Sequence, residues 1–580
     1  MLPVRMCRRP CASTDKGHMF QQSLTPVADS LTASALVASL PLIVIFVLLG
    51  VLRITAHWAG LGGLAAALFL ASTAFRMPTG LALLSGTEGA AFGLFPIMWI
   101  VVNALWVYQL TVVSNRFEDL RASFRLISDD PRITAVLIAF CFGGLLEALT
   151  GFGVPVAITA VMLTAIGFSP FRAAAIVLIA NTAPVAFGAV ATPILTASAL
   201  TSIPADAIGS VVGRQVPVLA LFVPLIVVGM VDGRRGIRQT WPTAVVCGAG
   251  FAIGQFISAN YVSVELTDMI GSLVALGVTV VFLRVWHPAG TEDALRDLGA
   301  AREAETNECG LRLAGSCGNV SSAGSASGRD LGRGRIGMAL LPYAIIVAVF
   351  SIARLWRPAT TFLTESDVEV DWPGLHGELL GTSGKPLTST VYAIPWLSTP
   401  GTLLLICGIL VALVYRISPA VAARAYVATA HQLRLAFLTV PSLLAFAYVM
   451  NQSGQTLTIG TWIAGTGVAF AFLAPILGWL GAAVTGSDTA SNALFATLQQ
   501  AAGLRAGLNP TLLVAANTTG GVVGKMLSPV HLTIAATAVG IVGREGDLFR
   551  YLIRWSAGLI LFICVLVYLQ FTPVLSWMLP

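Results

Sequence analysis

Two short strings place the same polar residues inside apolar runs: Asn181-Thr182-Ala183-Pro184 and Asn517-Thr518-Thr519-Gly520. In each, a glycine follows the Asn by 7 residues (Gly188, Gly524) and a proline by 12 (Pro193, Pro529). Glycine and proline interrupt a helix, and a half-helix N-terminus offers free N–H groups and about half a positive charge to an anion. Asn181, Thr182, Asn517 and Thr518 beside such breaks can donate to a carboxylate or hydroxyl; the plainer role is to satisfy backbone groups that the break sets free. Glu147 ends the apolar run Ile133–Leu146. A charge at membrane depth costs roughly 2.5–3.5 kcal/mol on insertion scales, so such a residue reads as functional by default. Burial disfavours the charged form of a carboxyl, which suits a proton carrier; a structural or interfacial role is the alternative. Asp488, in Gly486-Ser487-Asp488-Thr489, carries the same two readings. Ser487 and Thr489 can ligate a cation or substrate, or cap the following helix. Lys525 is the only lysine beyond Lys385. It can pair with a substrate carboxylate, neutralise Glu147 or Asp488, or snorkel to the surface. His531, Tyr448 and Asn451 are weaker candidates.

The elements that must position these residues are membrane helices. The 580 residues are 56% hydrophobic and 10% charged, with a mean hydropathy of +0.85. No soluble domain of this size hides so much apolar surface. The apolar runs are continuous rather than alternating, which excludes a β-barrel. The expected fold is an all-α polytopic membrane protein with about 12–14 hydrophobic segments. Apolar stretches, the shorter of which can pair as hairpins rather than cross singly, are read near 34–52, 58–75, 89–113, 133–149, 154–168, 171–198, 216–232, 242–261, 269–286, 337–353, 398–415, 436–452, 458–480, 489–503, 511–540 and 552–576. The net charge of +6 comes from arginines scattered in short loops, which point to the cytoplasm rather than to nucleic acid. Those loops are Ser114–Arg132, Arg234–Arg238, Arg416–Arg434 and Arg544–Arg554. A short acidic turn, Glu265 and Asp268, and the acidic loop 354–397 are expected outside.

The organisation expected is a first half, 19–289, and a second half, 337–580, with repeat cores at 133–232 and 458–576. The Gly/Ser/Arg-rich segment 290–336 reads as a flexible cytoplasmic linker. Counting spans puts both termini outside, which conflicts with four bases before the first span. The expectation is therefore that residues 1–18 are a non-native or disordered extension and that Met19 is the natural start. Cys141, Cys247, Cys407 and Cys564 sit in apolar runs as small core residues, and Cys309 and Cys317 in the polar segment lack a metal-site pattern. No cofactor motif and no paired nucleophile and base occur, so neither a cofactor nor an enzymatic activity is expected.

The two polar strings belong to a longer duplication. Gly151-Phe152-Gly153 begins 30 residues before Asn181, and Gly486-Ser487-Asp488 begins 31 before Asn517. A G-x-x-P turn intervenes in both, Gly167–Pro170 and Gly507–Pro510, after which the register slips by about one helical turn. Loop charges give the copies opposite orientations. The pattern is an inverted repeat with discontinuous helices or re-entrant hairpins, the usual basis of alternating access.

These strings resemble the bacterial lactate permeases over nearly the whole chain, from about Met19 to Pro580. The resemblance rests on Gly151-Phe152-Gly153-Val154-Pro155-Val156-Ala157-Ile158, Asn181 to Gly188, Gly486 to Phe495, and Ala516 to Gly521. It implies a proton-coupled symporter of L-lactate, and often of D-lactate and glycolate, in the cytoplasmic membrane. Two departures stand at the expected site. Ala148, Leu149 and Thr150 replace the middle of the family pattern Glu-Gly-Ala-Ala-Gly-Phe-Gly, and Val530 and His531 follow Pro529 where the family commonly has Gln. The expected partners are a small 2-hydroxy monocarboxylate, protons and the lipid bilayer. The substrate would lie between the breaks, with Asn181, Thr182, Asn517, Thr518, Lys525, Ser487 and Thr489 binding it and Glu147 or Asp488 carrying the proton. Sodium coupling and a passive anion channel are the alternatives.

Overall fold

The computed structural model describes residues 19–52, 54–125, 127–151, 153–297, 333–387 and 390–580. The expectations for residues 1–18, for most of the 290–336 linker with Cys309 and Cys317, and for Phe152 lie outside the described residues. Where the chain is apolar for a membrane's thickness, its backbone can satisfy itself only as helix. Among the described residues, seven helices are long and apolar enough to cross a membrane, or up to nine if two sharply bent pairs each count as one span. Shorter apolar helices fill the rest, including Val154–Ile166, Thr267–Phe282 and Ala469–Thr485.

Several expected spans are differently divided. A helix at Thr79–Phe92, not foreseen, precedes Trp99–Val113 in one broken span. The basic loop Arg416–Arg434 contains a helix, Pro419–Gln432, and the segment 458–480 is two helices rather than one. The acidic loop 354–397 holds a short antiparallel pair, Val368–Asp371 with Val391–Ile394. Its Leu379–Leu380 pairs in parallel with Phe20–Gln21, so the start of the described chain lies on this loop's side of the molecule.

The centre is built from ten helices. They are α1 (Pro131–Leu149), α2 (Val154–Ile166), α3 (Pro170–Ala180), α4 (Gly188–Thr201), α5 (Ala205–Ile257, broken by non-helical backbone at Asp232 and Gly233), α6 (Thr267–Phe282), α7 (Ala469–Thr485), α8 (Asp488–Ala506), α9 (Pro510–Gly524) and α10 (Pro529–Ala538). The run α1–α4 matches α7–α10 element by element. Each opens with an apolar helix that stops at a glycine of positive φ, Gly151 (+54°) or Gly486 (+78°). The next helix ends at another, Gly167 (+120°) or Gly507 (+67°). Pro170 and Pro510 then start the third helix, where a missing N–H costs nothing. A turn of 3₁₀ helix, Val185–Phe187 or Lys525–Leu527, separates it from the fourth.

Packing between the copies is reciprocal: α4 lies on α8, and α10 lies on α2. A two-fold axis relating the copies requires such an exchange of partners. Asn492 of α8 donates to the Pro193 carbonyl of α4 at 3.0 Å, and Gln500 to that of Thr201 at 2.7 Å. Within the second copy, α7 and α9 touch through glycines. A Cβ on Gly520 would overlap the Pro475 carbonyl, and one on Gly524 the Trp479 carbonyl. Small residues spaced by four allow this close crossing in lipid, where no hydrophobic force drives helices together.

Candidate functional site

Glu147, on the last turn of the wholly buried α1, faces the second copy. Lys525, the residue that ends α9, donates to its Oε1 at 2.5 Å across 378 positions of sequence. Both are buried, Glu147 at 1% exposure and Lys525 at 6%. Asn181, the residue that ends α3, donates to the other oxygen, Oε2, at 3.3 Å. The two chain breaks therefore converge on one carboxylate, each through the residue that ends its third helix.

This differs from the sequence register in one respect. The Asn–Thr repeat places Asn517 beside a break, but Asn517 and Thr518 lie inside the unbroken α9 and are fully buried. Asn517 donates to Asn492 Oδ1 at 2.9 Å, and Thr518 to the same oxygen at 3.1 Å. They tie α9 to α8 within the second copy. The reason is the glycine crossing: held against α7, α9 runs on to Gly524, and its break comes two turns after Asn517. By helix ends, the counterpart of Asn181 is Lys525.

Two adjoining cavities meet at Lys525 and Val185. The larger, a partly open cavity of about 340 Å³, is lined by Glu147, Gly151, Gly188, Ala189, Ser487, Asp488 and Thr489, among others. The smaller, about 180 Å³, is lined by Asn181, Thr182 and His531 with apolar neighbours such as Val156 and Met526. Seven of the nine residues expected to bind substrate or carry the proton border one or the other of these two cavities, and Asn517 and Thr518 do not. Thr182 spends its hydroxyl proton on the Ile179 carbonyl at 2.7 Å and offers a lone pair to the cavity. Ser487 caps α8 by accepting from the Ala490 N–H at 3.3 Å, so an N-terminal helix end with its partial positive charge borders the space.

Several polar atoms here are buried with no partner among the described residues: both oxygens of Asp488, Asn181 Oδ1 and His531 Nε2. Buried polar groups are normally bonded, so such a set in a cavity marks capacity for a ligand or proton. The positive φ of Gly151 and the bare Cα of Gly188 let backbone approach Glu147; a Cβ on Gly188 would lie 2.9 Å from Glu147 Oε1. The chain after Gly188 makes one left-handed turn, Ala189, Val190 and Ala191, with φ of +45°, +57° and +58°. For L-residues this costs roughly 1–2 kcal/mol each. Such strain is held where the surroundings over-determine the backbone, here between Glu147 and α8.

Gly188 was legible only as a helix breaker, and Asn492, the hub that holds Asn517 and Thr518 to α8, gave no signal beyond lying in a polar string. Glu265 and Asp268, at the turn between α5 and α6, are buried, at 2% and 0% exposure. Glu265 bonds Arg354 and takes the Ser263 hydroxyl, and Asp268 turns inward against α5.

A family model described as L-lactate permease matches residues 34–574 of this chain. The L-lactate permease of Bacillus subtilis is 39% identical, covering 96% of this chain and 99% of that protein. The glycolate permease GlcA of Escherichia coli K12 is 40% identical over 90% of this chain and 93% of its own. The L-lactate permease of the same strain is 38% identical over 97% and 100%. Among solved structures, the YdaH transporter of Alcanivorax borkumensis aligns with 75% of this chain and 84% of its own at 14% identity, with a TM-score of 0.29.

Proposed function

The chain belongs to the L-lactate permease family, and on that premise we propose that it is a secondary active transporter taking up L-lactate, D-lactate and glycolate across the cell membrane by proton symport. The observation that carries the coupling is the Glu147–Lys525 ion pair between the two copies. In the empty site the pair is neutral. A carboxylate entering alone leaves an excess negative charge in a dry cavity, and a proton entering alone leaves an excess positive one; both are costly. Entering together they cost neither: the proton neutralises Glu147, and Lys525 keeps its charge and takes the substrate carboxylate. Asn181 and Thr182 then lie beside the 2-hydroxyl, and the N-terminus of α8 adds to the field on the carboxylate. Empty and loaded sites have equal charge, so both can reorient, as alternating access requires.

In this reading Asp488 is a second proton acceptor, and the halves 19–289 and 337–580 move as the two units of the inverted repeat, with both termini outside. A sodium ion is favoured by a separate observation: Ser487, Asp488 and Thr489 offer oxygens to one cavity, and the Asp488 carboxylate has no partner there. Purified protein in liposomes decides between them. Symport predicts accumulation of labelled lactate under an inward pH gradient and none under a sodium gradient at equal pH. Accumulation under sodium alone transfers the coupling to the Asp488 site. Net current without exchange replaces both with a channel. Competition by glycolate, pyruvate and larger acids ranks the substrates.

A further inference from the structure

Asp268 opens α6 and is fully buried, yet it takes no part in the site above. One donor reaches it: Gln255 of α5 gives Nε2 to its Oδ1 at 2.9 Å. The same nitrogen donates to the carbonyl of Ala183 at 3.2 Å, in the first break, two residues after Asn181. The remaining oxygens of the pair, Asp268 Oδ2 and Gln255 Oε1, are both buried without a partner among the described residues. So is the hydroxyl of Ser272, one turn along α6 and packed on Gly144 of α1. The cations nearby are already engaged, Arg354 by Glu265 and Lys525 by Glu147. The charges that reach Asp268 from the packed elements are those of Glu147 and Lys525.

An ionised Asp268 would leave two buried acceptors with no donor among the described side chains, each a cost of about 1–3 kcal/mol. A single proton on Oδ2 changes this. The acid then donates to Gln255 Oε1 while Gln255 Nε2 donates back to Oδ1, a two-bond acid–amide pair. We propose that Asp268 is a proton-binding site, with Gln255 as the positioning residue that passes its state to the first break. With the proton bound, the Gln255 amide is held and tethers the Ala183 carbonyl. With the proton lost, the carboxylate competes for both amide hydrogens and the tether loosens, taking Asn181 from Glu147. The proposal rests on the first break forming part of the substrate site.

The test is lactate exchange in proteoliposomes with equal pH on both sides, scanned across pH. Wild-type exchange falls on the alkaline side. Asp268→Asn, which keeps an amide donor for Gln255 Oε1 at every pH, retains exchange there at least about fivefold above wild type, the change expected when a titrating group is made permanently neutral. Gln255→Glu removes the amide hydrogen that reaches the Ala183 carbonyl, so exchange is already low at neutral pH and the alkaline fall is absent. Profiles of both variants superimposable on wild type overturn the proposal. If Asp268→Asn does not reach the membrane, Gln255→Glu decides alone by the same criterion. Wild-type protein that exchanges neither lactate nor glycolate at any pH defeats the transport reading instead, which is a distinct outcome.

Discussion

Intramembrane charge is rare enough that single residues stand out, which made Glu147, Asp488 and Lys525 legible from sequence. Their pairing was not, since three partners were open to Lys525 and only the packed copies select Glu147 over Asp488. Proton coupling through this pair is open to a direct test. Glu147→Gln mimics the protonated acid and frees Lys525 at all pH values. Labelled lactate should still exchange, while accumulation under a pH gradient falls by tenfold or more, at least about 1.4 kcal/mol of lost coupling. Lys525→Ala should abolish both, and Lys525→Arg should not restore them, because a planar guanidinium does not replace a compact ammonium in a tight cavity. Full gradient-driven accumulation by Glu147→Gln would remove the pair from the mechanism.

The helices were visible as apolar runs, and their ends as glycines and prolines. Gly151, Gly167, Gly486 and Gly507 all take positive φ, the backbone state for which glycine is the low-cost choice. Asn517 and Thr518 were read as lying beside the second break, which comes two turns later, because a glycine-rich string reads equally as a breaker and as a packing surface. Gly520 and Gly524 serve as the second, against the Pro475 and Trp479 carbonyls. Gly188 tests how tightly one element shapes the site. Gly188→Ala puts a methyl where the Glu147 carboxylate now lies, displacing it from Lys525 or shifting α4. Transport should fall by about tenfold or more with thermal stability lowered by at most about 1–3 kcal/mol, the usual range for overpacking. Unimpaired uptake by this variant would mean that Glu147 need not sit where it does.

At the scale of the molecule, the reciprocal packing of α4 on α8 and α10 on α2 turns two distant sequence copies into one site. Orientation in the bilayer follows from loop charge alone, and it has a direct readout. Thr382 lies in the acidic loop 354–397, which also pairs with the start of the described chain, and Ala423 lies in the exposed helix Pro419–Gln432. A membrane-impermeant maleimide should label Thr382→Cys in intact cells and Ala423→Cys only after permeabilisation. The opposite pattern would invert the topology and the direction of coupling.

Composition and hydropathy were sufficient for a helical membrane protein with paired interruptions, because burying backbone in lipid leaves few alternatives and each polar residue in an apolar run is conspicuous. Which polar residues meet was decided by the fold. Lys525 and Glu147 are 378 positions apart, Asn517 turned to α8 instead of the cavity, and Asp268 at the α5–α6 turn is packed against Gln255. Local pattern specifies where a helix can stop; only packing between the copies specifies what it faces when it does.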